Sequence, residues 1–354
     1  MANPKESELH YPWADVLPAS GEVLELAPGV RWVRMQLPFA LDHINLWLLR
    51  DVVDGVAGWT IVDCGIHNEA TQAAWEQVFA NHLDGLPVVR VVVTHFHPDH
   101  IGSAHWLCER WGLQAISISA TDFNLARLAS QSTVGTGGGA AADFFAKQGL
   151  TDPESQAKIR GRSNYYASMV PKVPSQFARL MHGMRLRIGA HDWQCHVGYG
   201  HAPEHMSLHC EALNMLISGD MVLPRISTNV SVVDVEPLGN PLRLYLDSIE
   251  QMLALPPDTL VLPAHGRPFK GLHQRIRQLR EHHDERLLEV MQACSAAPQS
   301  AADLLPILFK RPLDLHQTTF AIGEAIAHLH LLWFDGRLTR LAPGSDGVLR
   351  FTLA

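Results

Sequence analysis

Apolar residues recur with a period of two along residues 21–63, which predicts strands over Val23–Leu26, Val30–Met35, Ile44–Leu49 and Trp59–Val62. Pro28-Gly29 and Asp54-Gly55 interrupt the runs where hairpin turns belong. The period then lengthens: Asn68–Leu83 carries apolar positions at helical spacing behind an asparagine cap. A β-branched run, Val88–Val93, reads as a buried strand. A helix is expected from Ser103 and a short strand over Ala115–Ser119.

Residues 121–183 break this rhythm. They are helix-prone but interrupted by Gly135-Thr136-Gly137-Gly138-Gly139 and by Pro153, Pro171 and Pro174. Their aromatic content (Phe144, Phe145, Tyr165, Tyr166 and Phe177) favours a cap with a glycine hinge over an unpacked excursion. Strand patterns resume at Leu186–Ile188, Trp193–Val197, Ser207–Cys210, Leu213–Ile217 and Thr259–Leu262, with a helix over Leu242–Leu253. From Leu272 the chain turns helical, with His273–Cys294, Ser300–Phe309 and Thr318–Trp333 expected as helices. Arg337–Leu341 and Val348–Leu353 flank a Gly-rich turn and complete a terminal hairpin. The expected division is an N-terminal extension (1–20), a main domain (21–271) containing the cap (121–183), and a C-terminal helical unit (272–354).

Composition narrows the function classes. With 47% hydrophobic and 18% charged residues, the chain is globular rather than disordered. Its net charge of −8 provides no general attraction to nucleic acid or anionic membrane. No apolar run approaches the roughly 20 residues of a membrane span, and the first 20 residues lack a signal-peptide layout. Five cysteines (64, 108, 195, 210 and 294), an odd number without a CxxC pair, point to reduced thiols and a cytoplasmic setting. Cys64 reads as a packing residue.

The chemistry concentrates in Thr94-His95-Phe96-His97-Pro98-Asp99-His100-Ile101-Gly102, directly after the Val88–Val93 strand. In extended backbone, alternate side chains point the same way, so His95 and His97 converge on one cation. Asp99 and His100 follow on a turn begun by Pro98 and reach for a second. Imidazole with carboxylate suits zinc, and also iron or manganese. Histidine is abundant here, at 21 of 354 residues, but abundance explains one HxH pair better than four ligands at a strand end.

This stretch resembles the HxHxDH signature of the metallo-β-lactamase superfamily. Later segments resemble that family's others in order: Gly200-His201-Ala202-Pro203, Ser218-Gly219-Asp220 and Pro263-Ala264-His265-Gly266. Upstream, Asp63-Cys64-Gly65 resembles its early strand end. The resemblance implies an α+β fold, a four-layer αββα sandwich, here with a helical insertion and a C-terminal unit similar to a winged helix. It implies two divalent metal ions, zinc foremost: His95, His97 and His201 on the first, Asp99, His100 and His265 on the second, and Asp220 bridging. Water between the cations would lose a proton near neutral pH and attack an electrophilic carbonyl, with Asp99 orienting it.

Asp63 is a candidate partner for the far ring nitrogen of a metal-bound histidine, or equally a turn-capping residue. His205, four residues after His201, is a candidate proton donor to the leaving group, against a packing role. Six basic residues, Arg267, Lys270, Arg275, Arg277, Arg280 and Arg286, are either a handle for an anionic substrate or a solvated helix face, because Glu281, Asp284 and Glu285 interleave them. The expected function is hydrolysis of a small thioester or ester. A lactonase and a single-strand endoribonuclease are alternatives, and a metal-stabilised scaffold is a weaker one. Nucleic acid is disfavoured as a partner, because the candidate recognition helix Thr318–Trp333 carries no Arg or Lys. The apolar cap and tail offer a surface for a homodimer.

Overall fold

The computed structural model describes residues 3–135 and 137–354. Thr136, in the expected glycine hinge, and the first two residues of the N-terminal extension lie outside the described residues. The rest forms four layers, α-β-β-α, with a helical C-terminal unit joined to one outer face.

The first sheet has seven strands in sequence order: β1 (Val23–Ala27), β2 (Val30–Gln36), β3 (His43–Val53), β4 (Val56–Val62), β5 (Val88–Val92), β6 (Ala115–Ile118) and β7 (Gln176–Arg179). Alternation assigns its faces. On β3, Ile44, Leu46 and Leu48 turn outward to α1 (Glu69–Asn81) and α3 (Ala104–Trp111), which follows the short helix α2 (Pro98–Ile101). Trp47 and Leu49 turn inward. Asn68 caps α1 as expected, its side chain accepting from the Thr71 amide at 2.7 Å.

The cap departs from expectation at both ends. Its first helix, α4 (Ala120–Ala129), packs on the outer face of the first sheet through Phe123 and Ala126. β7 pairs parallel with β6, so residues 176–179 belong to the sandwich rather than the insertion. Only one of its four residues, Phe177, is large and apolar, which hid the strand pattern; Phe177 stacks on Phe123 at 4.2 Å. The insertion proper holds α5 (Gly138–Lys147) and α6 (Pro153–Arg160).

The second sheet runs β12 (Leu260–Pro263), β11 (Met215–Gly219), β10 (His205–Cys210), β9 (His191–Gly198), β8 (Arg185–Ile188). Its inner face meets the first sheet in a core that includes Trp32, Trp47, Trp193, Met206 and Ile217. Each such fully buried large side chain contributes about 1.5–3 kcal/mol. Its outer face is covered by α7 (Pro241–Gln251) and α8 (Leu272–Ala296). The C-terminal helices α9 (Ala301–Leu308) and α10 (Leu315–Phe334) join that same core, followed by a hairpin of β13 (Leu338–Arg340) and β14 (Phe351–Leu353).

Helices followed by a hairpin match the expected order, but α10 buries twelve of its residues. A helix buried along most of its length has no face to read nucleic acid. Among the described residues, no helix is long and apolar enough to cross a membrane. The ends of β4, β5, β9, β11 and β12 meet at one edge of the sandwich, and the candidate site lies there.

Candidate metal centre

β4 ends at Asp63, whose φ of 62° falls in the left-handed region that aspartate tolerates better than most side chains. This turn places its carboxylate beneath the end of β5. One oxygen accepts from the Thr94 amide at 2.8 Å, and the other from the Thr94 hydroxyl at 2.9 Å and from His100 Nδ1 at 2.7 Å. Asp63 is thus both the turn residue and the histidine partner. Gly102 is needed just downstream, because a Cβ there would come within 2.4 Å of the Pro98 carbonyl and 2.7 Å of the His67 amide nitrogen.

Two groups of side chains face each other across this edge. In the first, His95 Nε2, His97 Nδ1 and His201 Nε2 lie 2.8, 3.0 and 3.2 Å apart, and Asp220 Oδ2 lies 3.1 Å from His201. In the second, His265 Nε2 lies 3.4 Å from both Asp99 Oδ2 and Asp220 Oδ1, and His100 Nε2 lies 3.7 Å from the same two oxygens. Asp220 therefore turns one oxygen to each group. The far ring nitrogens are held: His201 Nδ1 donates to the Asn229 carbonyl and His265 Nδ1 to the His43 carbonyl, both at 2.7 Å. His95 Nδ1 lies 3.0 Å from the Thr94 hydroxyl. The 225–230 loop that follows Asp220 thus supplies one of these partners.

The protonation states differ between the groups. Burial and neighbouring imidazoles push His95 well below its usual range, and burial with His201 pushes His97 to about 3. Burial also opposes charge on His100 and His265, but Asp63, Asp99 and Asp220 outweigh it at His100, and Asp220 and Asp99 at His265, and both are raised. Burial works against charge on the two carboxylates as well, yet His100 and His265 hold Asp99 at about 2 and Asp220 well below the carboxylate range.

These residues fit divalent cations. Ring nitrogens packed this closely repel one another unless a positive charge sits between them. Their spacing approaches the edge of about 3.3 Å that a tetrahedron with metal–nitrogen bonds of about 2.0 Å requires. His100 Nε2 and Asp220 Oδ1 are buried with no hydrogen-bond partner among the described residues, as ligands awaiting an ion would be. Each group has one ligand atom per residue within 4.8 Å of the others.

Two sets of alternatives from the sequence concern His205 and the basic stretch. His205 is fully buried behind the site, where its Nε2 accepts from the Asp220 amide at 3.0 Å. It therefore has no route to a leaving group, and it positions Asp220 instead. Gly219 is required beside it, since a Cβ at that position would sit 2.3 Å from the His205 ring. Four of the six basic residues are already engaged within the chain, by burial or by an ion pair. Arg275 is buried and donates to the Leu223 and Ile226 carbonyls, bracing the loop after Asp220. Arg267 pairs with Asp15, Arg280 with Glu250 and Arg286 with Glu289.

Asp122 left little trace in the sequence pattern. This buried carboxylate accepts from the Phe96 amide at 3.0 Å and the Glu204 amide at 2.9 Å, tying the loop of His95 and His97 to that of His201. The available signal was Ser119-x-x-Asp122, which reads as an ordinary helix cap; the Asp122 amide does bond to Ser119 Oγ at 3.2 Å.

Comparison with known proteins agrees with this geometry. Residues 41–265 match the family described as the metallo-beta-lactamase superfamily. Residues 287–354 match the one described as metallo-beta-lactamase-like, C-terminal domain. Over 330 residues the chain is 24% identical to a probable metallo-hydrolase of Bacillus subtilis, covering 88% of this chain and 95% of that protein. It resembles the crystal structure of a beta-lactamase domain protein from Burkholderia ambifaria, at 56% identity and a TM-score of 0.93, over 99% of this chain and 100% of the other. A metallo-beta-lactamase family protein of Thermus thermophilus follows at 25% identity and a TM-score of 0.74, with 93% and 100% covered.

Proposed function

As the chain belongs to the metallo-beta-lactamase superfamily, we propose that this metallo-hydrolase works with two metal ions on a small thioester or ester. The carrying observation is the division of Asp220, with Oδ2 at 3.1 Å from His201 and Oδ1 at 3.4 Å from His265. One carboxylate shared between two ligand groups is the arrangement a binuclear site needs.

Two divalent cations, zinc best matching the imidazole-rich donors, would supply Lewis acidity toward the carbonyl oxygen and acidify a water toward neutral pH. His95, His97, His201 and Asp220 would hold one, and Asp99, His100 and His265, with Asp220, the other. The chain's own residues do the rest. Asp99, ionised and with its side chain 18% exposed, would accept a hydrogen bond from the attacking water and orient it. Asp220, with both oxygens committed, positions the groups around it. Asp63 and Thr94 fix the tilt of His100 and His95. The buried, unpaired cysteines support a reducing, cytoplasmic setting.

The test is thiol release from a panel of glutathione and coenzyme A thioesters by metal-loaded protein, with Asp220→Ala as control. Metal-dependent turnover that vanishes in the control is expected. No turnover by protein holding two metals would overturn the thioester reading.

A further inference from the structure

Three chain segments that are remote in sequence are each anchored beside a different ligand histidine of the candidate centre. The β2–β3 loop carries Phe39 and, four residues on, the His43 carbonyl that holds His265. The cap carries Tyr165, whose neighbour Tyr166 donates to the Phe96 carbonyl next to His97 and stacks on the Phe96 ring. Helix α10 carries Phe320, whose carbonyl lies 3.3 Å from Ser231 Oγ; that hydroxyl donates at 2.8 Å to the side chain of Asn229, the residue that holds His201.

The three arms meet at His316. Its ring stacks on Phe39 at 6.3 Å, meets Phe320 edge-on at 4.9 Å, and lies 3.1 Å from the Tyr165 hydroxyl through Nδ1. Tyr165 is close enough to Asp99 for that carboxylate to oppose ionisation of the phenol, although burial is the larger cause of its raised pKa. Phe39 and Phe320 remain 39% and 43% exposed. Arg162 lies 5.6 Å from the Tyr165 ring centre and lowers the pKa of His316, after burial.

We propose that Phe39, Tyr165, His316 and Phe320 form a collar that selects the substrate by a planar apolar group next to the scissile carbonyl. Aromatic walls hold a flat group by offset or edge contacts and give little to a methyl group. The Tyr165–His316 pair supplies the polar point that fixes orientation. Selection is then shared by the cap and the C-terminal unit, while the four-layer core supplies the ligands. This inference rests on the hydrolase reading above for its substrate, but the collar can be tested without turnover.

The experiment compares kcat/KM for phenylacetyl and acetyl thioesters of the same thiol, in the parent and in Phe320→Ala and Phe39→Ala. Both substitutions remove partly exposed rings, and thermal melts with metal analysis check folding. The parent is expected to prefer the phenylacetyl ester, and the ratio of the two values is expected to fall roughly tenfold or more in each variant. A parent without preference, or a ratio unchanged by both variants, would overturn the collar. If the parent hydrolyses neither ester, the thioester reading fails and binding decides the collar: calorimetry with phenylacetate and acetate on metal-loaded protein. Tighter phenylacetate binding that Phe320→Ala abolishes supports the collar, and equal binding of the two acids overturns it.

Discussion

In one half of the candidate centre, burial and adjacent imidazoles keep His95 and His97 neutral far into acid, with His97 at about 3. In the other, carboxylates overcome burial and raise both His100 and His265 above the usual histidine range. Both halves use imidazole and carboxylate, and both are buried. The difference lies in the count and placement of charge: three carboxylates, Asp63, Asp99 and Asp220, raise His100, whereas other histidines crowd His95. A cation entering the first half meets His95 and His97 already neutral. One entering the second must displace protons.

The strongest blow to this comparison is Asp220→Ala, which removes the one group common to both halves. Activity is expected to fall roughly 1000-fold or more, since both the ligand and the charge it balances are lost. Bound metal, measured by elemental analysis, should drop below two per chain. Retention of two tightly held ions would show that the halves do not depend on a shared carboxylate.

Asp63→Asn separates the halves. It leaves an acceptor for His100 but removes the charge that helps to raise it. Affinity for the second ion is expected to fall about 10–100-fold, while the first is held nearly as before. Competition titration with a chelating dye reads the two affinities, and an equal loss at both would refute the separation. Asp122→Asn acts on neither half directly, but it turns an amide donor toward the Glu204 N–H and loosens the tie between their loops. A fall in kcat/KM of about tenfold is expected with metal content kept.

The gentlest probe is proton release. Calorimetric metal titration in two buffers near neutral pH should show few protons leaving with the first equivalent and more with the second. The pH dependence of the metal-free protein has matching signs. A histidine with a lowered pKa stabilises the fold above about 6.5, and that stability is lost as pH falls toward its folded value; His97 is such a group, down to about 3. A histidine with a raised pKa stabilises the fold fully below about 6.5, and this is lost as pH rises through its folded value, as for His100. Metal-free protein should therefore lose thermal stability in both directions, and metal loading should remove the alkaline loss. A Tm flat with pH in the metal-free protein would contradict both assignments.

The strands of the first sheet were legible because one face of each meets a helix and the other the second sheet, which enforces alternation. β7 was not, since an edge strand of four residues with one large apolar side chain leaves no pattern to read. The glycine-rich breaks told where the cap is interrupted, yet not that α4 packs on the first sheet as part of it. His205 looked like chemistry because it lies four positions after His201. The intervening turn instead sends it into β10 and behind Asp220. The basic stretch looked like a surface feature, but Arg275 points inward to backbone carbonyls while Arg267, Arg277, Arg280 and Arg286 take up acidic or polar neighbours.

In the sequence, resemblance to family motifs marked His201, Asp220 and His265, while short-range geometry determined strand period, helix caps and the clustering of His95, His97, Asp99 and His100 at one strand end. Spacing along extended backbone decides where such side chains point, and that needs no knowledge of the rest of the chain. Tertiary structure decided which histidines are charged and what surrounds the substrate, because both depend on distances between residues far apart in sequence. Asp63 reaches His100 across 37 positions and Tyr165 reaches His316 across 151. Electrostatic coupling and pocket shape fall off with distance in space, and only the packed sheets and helices set those distances.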